Sequence, residues 1–250
     1  MKTPFAPYIG VTGFTALTEV AYVLDGIPSQ AKRELMVGVL VSSKTLQGIP
    51  ARHPKRYPPL EVVWRIFPTD PHCLNLIHFS TKDPTTLEDQ VDRVLKAVGP
   101  GCHGFQFNMC WPRPDTLQRI RPRMGRLVLQ VGGHALEWVR HAPHQLVAKL
   151  SEYQGIATDI LLDPSGGTGR PFDQEEILEY LRAITHADLG FGIGVAGGLS
   201  SESLGSIATI SKEFPTLSIN AEGRLRSPDD DLDPLRARAY VQGAYRIFGD

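Results

Sequence analysis

The residues best suited to joint chemistry gather in the second half of this 250-residue chain. The first group is Asp163-Pro164-Ser165-Gly166-Gly167-Thr168-Gly169-Arg170-Pro171-Phe172-Asp173, in which an acidic residue closes an apolar run and a glycine-rich turn follows. A carboxyl so placed can exchange a proton with a ligand. Gly166, Gly167 and Gly169 let the backbone turn its N–H groups toward an anion or approach a ligand closely. The second group is Gly194-Val195-Ala196-Gly197-Gly198-Leu199-Ser200. Here paired glycines end an apolar run, and Ser200 suits the N-cap of a following helix, whose amides suit phosphate oxygens. The third is Asn220-Ala221-Glu222-Gly223-Arg224, another short turn with a glycine.

These groups need a scaffold that brings them to one place. Short β-branched runs alternate with amphipathic stretches along the chain, the pattern of repeated βα units around a parallel sheet. Eight strands are expected, at 8–12, 35–41, 73–79, 104–108, 126–130, 158–163, 191–195 and 216–220. Several are apolar throughout, as in Ile160-Leu161-Leu162, which suits strands covered on both faces. A helix at 85–98 places Leu87, Val91, Val94, Leu95 and Val98 on one stripe, with Thr85 and Glu88 as a capping box and Gly99-Pro100-Gly101 as its stop. Further helices are expected at 173–184, 200–214 and 233–248, the last with Pro234 in its first turn, and a short one at 59–67. Residues 42–58, rich in Pro, Lys, Arg and Gly, read as a long loop after the second strand. The fold class predicted is α/β, a single (β/α)8 TIM barrel of the phosphate-binding type, with residues 1–250 as one domain. In that fold the C-terminal strand ends carry the site. Asp163 then faces the ligand, and the turns after the seventh and eighth strands form the usual phosphate site.

The order of these motifs resembles the phosphoribosylanthranilate isomerase family of tryptophan biosynthesis. The family's Asp, loop, Gly-Gly-Thr-Gly-Lys, Phe-Asp pattern is read from Asp163 to Asp173, and its Ala-Gly-Gly-Leu is Ala196-Gly197-Gly198-Leu199. Its Ile-Cys-Gly-Ile-Thr corresponds to Val11-Thr12-Gly13-Phe14-Thr15, and its Gln-Leu-His-Gly looks like Gln106-Phe107-Asn108. The similarity runs from about residue 8 to 245, firm over 160–199 and faint over 42–71. The resemblance implies an isomerase that performs an Amadori rearrangement of a phosphosugar, with Asp163 as general acid. It also implies that Gly166, Gly167, Thr168, Gly197, Gly198, Glu222, Gly223, Gln106 and Asn108 line the substrate and phosphate site, with the phosphate on the backbone amides of Gly197, Gly198 and Gly223.

The departures from the family pattern bear on the chemistry. The family's general base is a cysteine, and that position is Thr12. A thiol with a pKa of about 8.5 yields some thiolate near neutrality. An aliphatic hydroxyl does not, so Thr12 needs a helper to take a proton. The family's paired serines after the eighth strand are Ala221-Glu222, and a carboxylate beside a phosphate repels it: either Glu222 points away or the site is reshaped. His134, after the fifth strand, is a replacement base in the right pH range. His78 sits near the end of the third strand with Asn75 at opposite parity, so at most one of the two faces the interior. Cys110 lies just beyond the fourth strand. Lys44, Arg52, Lys55 and Arg56 lie in the loop after the second strand, where the family uses an arginine for the substrate carboxylate. No local motif aligns one of them to it, and most read as solvated. Asp229-Asp230-Asp231 reads as an exposed turn before the last helix.

Composition removes other classes. A net charge of -1 gives no basic stripe for nucleic acid and no excess for a membrane surface. No apolar run reaches the roughly 18 residues of a span, and residues 1–10 lack the charged and apolar regions of a signal peptide. Three cysteines without CxxC spacing argue against a disulfide framework and for a cytoplasmic protein. No metal-ligand spacing, GxGxxG or GxxxxGK[ST] occurs, so no metal and no cofactor are expected, and the oligomeric state stays open between monomer and homodimer. Two further readings remain: a barrel of the same ancestry with lyase or hydrolase chemistry on Asp163 alone, and a non-catalytic phosphosugar-binding protein.

Overall fold

The structure is a computed structural model that describes residues 5–165 and 173–249. Eight parallel strands follow one another around a closed barrel: β1 (Tyr8–Thr12), β2 (Glu34–Ser42), β3 (Cys73–Ser80), β4 (Gly104–Phe107), β5 (Arg126–Gly132), β6 (Asp159–Asp163), β7 (Gly192–Ala196) and β8 (Ser218–Ala221). The ring closes where β8 pairs with β1, Ile9 beside Ile219 and Val11 beside Ala221. Helices α1 (Leu17–Leu24), α2 (Ser43–Leu46), α3 (Leu87–Val98), α4 (Pro114–Ile120), α5 (Gly133–Trp138), α6 (Pro143–Ser151), α7 (Gln174–Ala187) and α8 (Leu204–Glu213) lie between the strands in sequence, and α9 (Pro234–Phe248) follows β8.

Strand parity separates two cores. One alternate set of side chains, including Ile9, Val37, Ile77, Phe105, Leu129, Ile160, Val195 and Ile219, packs outward against the helices. Phe79, Phe105 and Phe107 meet there, with ring centroids 5.5 to 6.3 Å apart. The other set fills the barrel, and Tyr8, Met36, Leu74, Leu76, Val128, Leu161 and Ala196 form its apolar plug. Apolar strands follow because both faces are covered.

Below the plug, Arg126 makes a two-pronged pair with Asp159, Nε to Oδ2 and Nη2 to Oδ1 both at 2.7 Å. It also reaches Glu34 at 3.4 Å and the Ala6 carbonyl at 2.9 Å. Arg126 and Asp159 are buried.

Some local expectations change. No Thr85–Glu88 box forms: a 3-10 turn, Pro84–Thr86, precedes α3 and is capped by Asp83, whose side chain accepts from the Thr85 N–H, while Thr86 at the N-cap of α3 makes no side-chain cap bond. Glu88 is instead taken by Arg119 and Arg123 across the surface. The loop after β2 holds the one-turn α2, with the Ser42 hydroxyl accepting from the Thr45 N–H, and a 3-10 turn at Pro54–Arg56. The short helix expected at 59–67 is a 3-10 helix, Leu60–Arg65. No helix among the described residues is long and apolar enough to cross a membrane.

Candidate active site

A second group of polar residues of the inner parity set lies at the C-terminal strand ends. Thr12 ends β1, His78 sits near the end of β3, Gln106 is on β4, Gln130 on β5, Asp163 ends β6 and Asn220 is on β8. All six are buried. Two interior glycines make room for them. A Cβ on Gly38 would stand 2.6 Å from Thr12 Oγ1, and one on Gly10 would stand 2.7 Å from Asn220 Oδ1.

These side chains form one hydrogen-bonded row. Ser165 Oγ donates to Asp163 Oδ1 at 2.6 Å, and Gln130 Nε2 donates to Asp163 Oδ2 at 2.8 Å. Gln106 Nε2 donates to Gln130 Oε1 at 2.9 Å and faces His78 Nδ1 at 3.2 Å. Asn220 Nδ2 donates to Gln106 Oε1 at 3.3 Å and to Thr12 Oγ1 at 3.1 Å, and the threonine hydroxyl lies 3.2 Å from Asn220 Oδ1. Buried amides so satisfied cost little, whereas one lost partner would strand a buried polar group.

A cleft opens above this row. It is lined by His78, Gln106, Gln130, Asp163, Ser165, residues 196–199 and residues 220–224. Asp163 and the turns after β7 and β8 therefore share one mouth. The β7 turn comes very close: a Cβ on Gly197 would stand 3.2 Å from both Asp163 Oδ1 and Ser165 Oγ. Gly197 and Gly198 have φ of 111° and 63°, a region that favours glycine. Ser200 stands at the N-cap position of the 3-10 turn Ser201–Ser203, but its hydroxyl donates to Glu202, and Ser203 Oγ accepts from the Ser200 N–H.

Electrostatics divide the titratable groups. Burial pushes the Asp163 carboxyl above its ordinary value; the hydrogen bonds from Ser165 and Gln130 and the nearby His78 oppose this, and Glu222 adds to it. Burial pushes the His78 imidazole below its ordinary value, against the pull of Glu222 and Asp163. At neutral pH that ring is uncharged. Glu222 lines the cleft and is joined by Arg56, whose Nη1 lies 3.0 Å from Glu222 Oε1. Arg56 Nε also donates to both oxygens of Asp230, at 2.9 and 3.0 Å. Arg226, buried beneath, donates to the Gly13 and Asp230 carbonyls.

The structure brings together Asp163, Gln106, Gly197, Gly198, Glu222 and Gly223. It does not bring His134 to them. That side chain is 91% exposed, pairs with Glu137, and lines a neighbouring cleft with Cys110 and Asn108. Asn108 falls one residue beyond β4 and is exposed, because the strand ends at Phe107. The two clefts meet at Gln130 and Ser165. Thr12 belongs to the hydrogen-bonded row but is fully buried, on the far side of Asn220. Gly166, Gly167 and Thr168 lie outside the described residues. Of the cations after β2, Lys44 and Arg52 line a separate groove with Lys82 and Arg93. Lys55 and Arg56 pair with Asp231 and Asp230, so the acidic run is the exposed turn expected before the last helix and also ties down the loop after β2.

Sequence reading gave Gln130 no role, named Ser165, Asn220 and Arg224 only as members of their turns, and left Arg56 among the loop cations. Inward parity counted back from the strand ends would have found Gln130 and Asn220. Ser165 follows Asp163 by two residues and needed only its turn. Among the described residues no group of three His, Cys, Asp or Glu side chains is placed to hold a metal.

This architecture has close counterparts among solved structures. The phosphoribosyl anthranilate isomerase from Thermotoga maritima superposes with a TM-score of 0.66 at 17% identity, over 96% of this chain and 99% of that one. The fold is that of the phosphoribosyl anthranilate isomerases. The enzyme from Thermus thermophilus matches with a TM-score of 0.64 at 13% identity, over 96% and 99%. A phosphoribosyl anthranilate isomerase in complex with reduced 1-(o-carboxyphenylamino)-1-deoxyribulose 5-phosphate matches with 0.64 at 16%, over the same shares. No family model matches the sequence, and no curated protein matches it. At these identities the likeness is one of fold.

Proposed function

We propose that this barrel is an isomerase acting on a phosphorylated sugar, with Asp163 as its general acid. The observation that supports it most is the convergence of a buried carboxyl and the β7 and β8 turns on one cleft. The phosphate is held by backbone amides at Gly197, Gly198 and Gly223, with Arg224 on the same wall. Gly166, Gly167 and Thr168 complete that cradle in this reading. A solved relative in fold carries a ribulose 5-phosphate derivative, which supports the ligand class.

In the reaction, Asp163 gives its proton to the ring oxygen of the sugar as the C1–O bond breaks. Its carboxyl suits this because burial holds it protonated further up the pH scale. A second group then takes the C2 proton, forming an enolamine that tautomerises to the ketone. Thr12 is buried and paired to Asn220, so it does not fill that role. Glu222 is the second carboxylate at the cleft and is the acceptor assigned here, with Arg56 holding it. His134 is not required.

The test is turnover of phosphoribosyl anthranilate by the purified protein. Asp163→Asn and Glu222→Gln are each expected to lower kcat by about 10²–10⁴-fold. The rate of the unaltered protein should fall as pH rises through the lifted Asp163 pKa. Absence of turnover, with a phosphosugar still bound, would leave the binding protein as the reading. Growth of an isomerase-deficient tryptophan auxotroph, lost on Asp163→Asn, gives an independent arm. One observation favours single-acid chemistry instead: the family base position is sealed from the cleft. Hydrolysis of a phosphorylated glycoside that survives Glu222→Gln would support that alternative.

A further inference from the structure

Each amide in the row has a direction, and the directions add up. Both Asp163 oxygens accept hydrogen bonds, one from Ser165 and one from Gln130. Gln130 points its NH2 group at Asp163 Oδ2 and its carbonyl at Gln106 Nε2, which requires that the proton Asp163 carries as an acid faces the cleft and not Gln130. A carbonyl only accepts, so Gln106 must turn its own NH2 group to Gln130. That NH2 has two hydrogens. One goes to Gln130 Oε1, and the other is aimed at His78 Nδ1, 3.2 Å away. The opposite end of the Gln106 amide is fixed as an acceptor by Asn220 Nδ2. An imidazole nitrogen that accepts a hydrogen bond carries no proton. The proton of the neutral ring then sits on Nε2. His78 lines the cleft, and among the described residues no partner takes Nε2. The charged groups acting on the ring are Glu222 after β8 and Asp163 at the end of β6, and burial outweighs both.

We propose that His78 is a fixed hydrogen-bond donor, through Nε2–H, to an oxygen of the bound substrate, its tautomer dictated from Asp163 through the side-chain amides of Gln130 and Gln106. A neutral imidazole that donates in this way polarises a carbonyl or eases charge on an enolic oxygen without losing its proton. It also cannot serve as the base, since its one lone pair is taken by Gln106. The substrate oxygen rests on the phosphosugar reading; the tautomer does not.

The experiment is 15N NMR of the histidine-labelled full chain at neutral pH, with long-range couplings assigning the two ring nitrogens of His78. Nε2 protonated and Nδ1 bare is the expected result. A proton on Nδ1, or an imidazolium, overturns the proposal. In Gln106→Glu the carboxylate can only accept, so the proton must move to Nδ1 or the ring must charge; an unchanged Nε2–H form overturns the proposal. Gln130→Met, a milder change of similar size, should leave a mixture of tautomers, and an undiminished preference would remove Asp163 as its source. D-ribulose 5-phosphate is then added, its binding read at the Gly197 and Gly198 amides. A shift of the Nε2 signal that inorganic phosphate does not produce supports the donor role, and none at saturation overturns it. If those amides do not respond at all, the phosphosugar reading fails while the tautomer result still stands or falls by itself.

Discussion

The two ends of the barrel interior solve the burial of polar groups in opposite ways. At the N-terminal end Arg126 is satisfied by Asp159, Glu34 and a backbone carbonyl, so charge is cancelled inside the protein. At the C-terminal end the floor is built from neutral amides, and one carboxyl with a raised pKa faces a cleft. The lower end uses its bonding capacity internally. The upper end keeps two proton-bearing groups, Asp163 and His78, at an opening. Self-satisfied polarity marks structure, and polarity with unspent capacity marks a place for a ligand.

The contrast can be broken hardest from below. Arg126→Met leaves Asp159 buried without its partner, and a loss of about 3–5 kcal/mol is expected in chemical denaturation. Arg126→Met combined with Asp159→Leu should recover most of it, because an apolar pair of similar volume removes both charges. Gly197→Ala attacks the upper end. Its methyl would press on Asp163 and Ser165 from a backbone with φ of 111°, at a cost of about 1–3 kcal/mol and with loss of phosphate binding by calorimetry.

A finer test concerns the Asp163 charge. Its folded-state pKa lies above its unfolded value, so its contribution to stability is fully present below about 3.8 and is lost as pH rises through the folded value. Asp163→Asn has no such loss. Its melting temperature relative to the unaltered protein should therefore climb with pH over that window; a flat difference would deny the burial effect. The smallest effect is expected at the half-buried Arg56, where Arg56→Ala should cost about 1 kcal/mol or less.

Legibility in the sequence followed the range of the forces involved. All eight strands stood out because each is an apolar run between turn residues, a local signal. Parity alone separated His78, which faces the cleft, from Asn75, which bonds outward to the Pro68 and Gly101 carbonyls. Asp163 and its glycine partners were visible because strand ends in this architecture converge. Asn108 and His134 missed the cleft by small amounts, a strand one residue shorter and a helix beginning at Gly133, at the resolution where boundary estimates blur. Arg56 was illegible for another reason. Its partners Glu222 and Asp230 come from the other end of the sequence, and only the closing of the ring makes them neighbours.

That last contact also has a place in time. Arg56 follows β2, Glu222 follows β8, and β1 lies between them, so the ion pair bridges over the end of the first strand. A chain with seven strands assembled and the eighth still undocked has no such bridge. The bridge therefore cannot form before β8 docks: where that docking follows the rate-limiting nucleus its loss raises the unfolding limb of a chevron and leaves the refolding limb in place, and where β8 belongs to the nucleus the refolding limb falls.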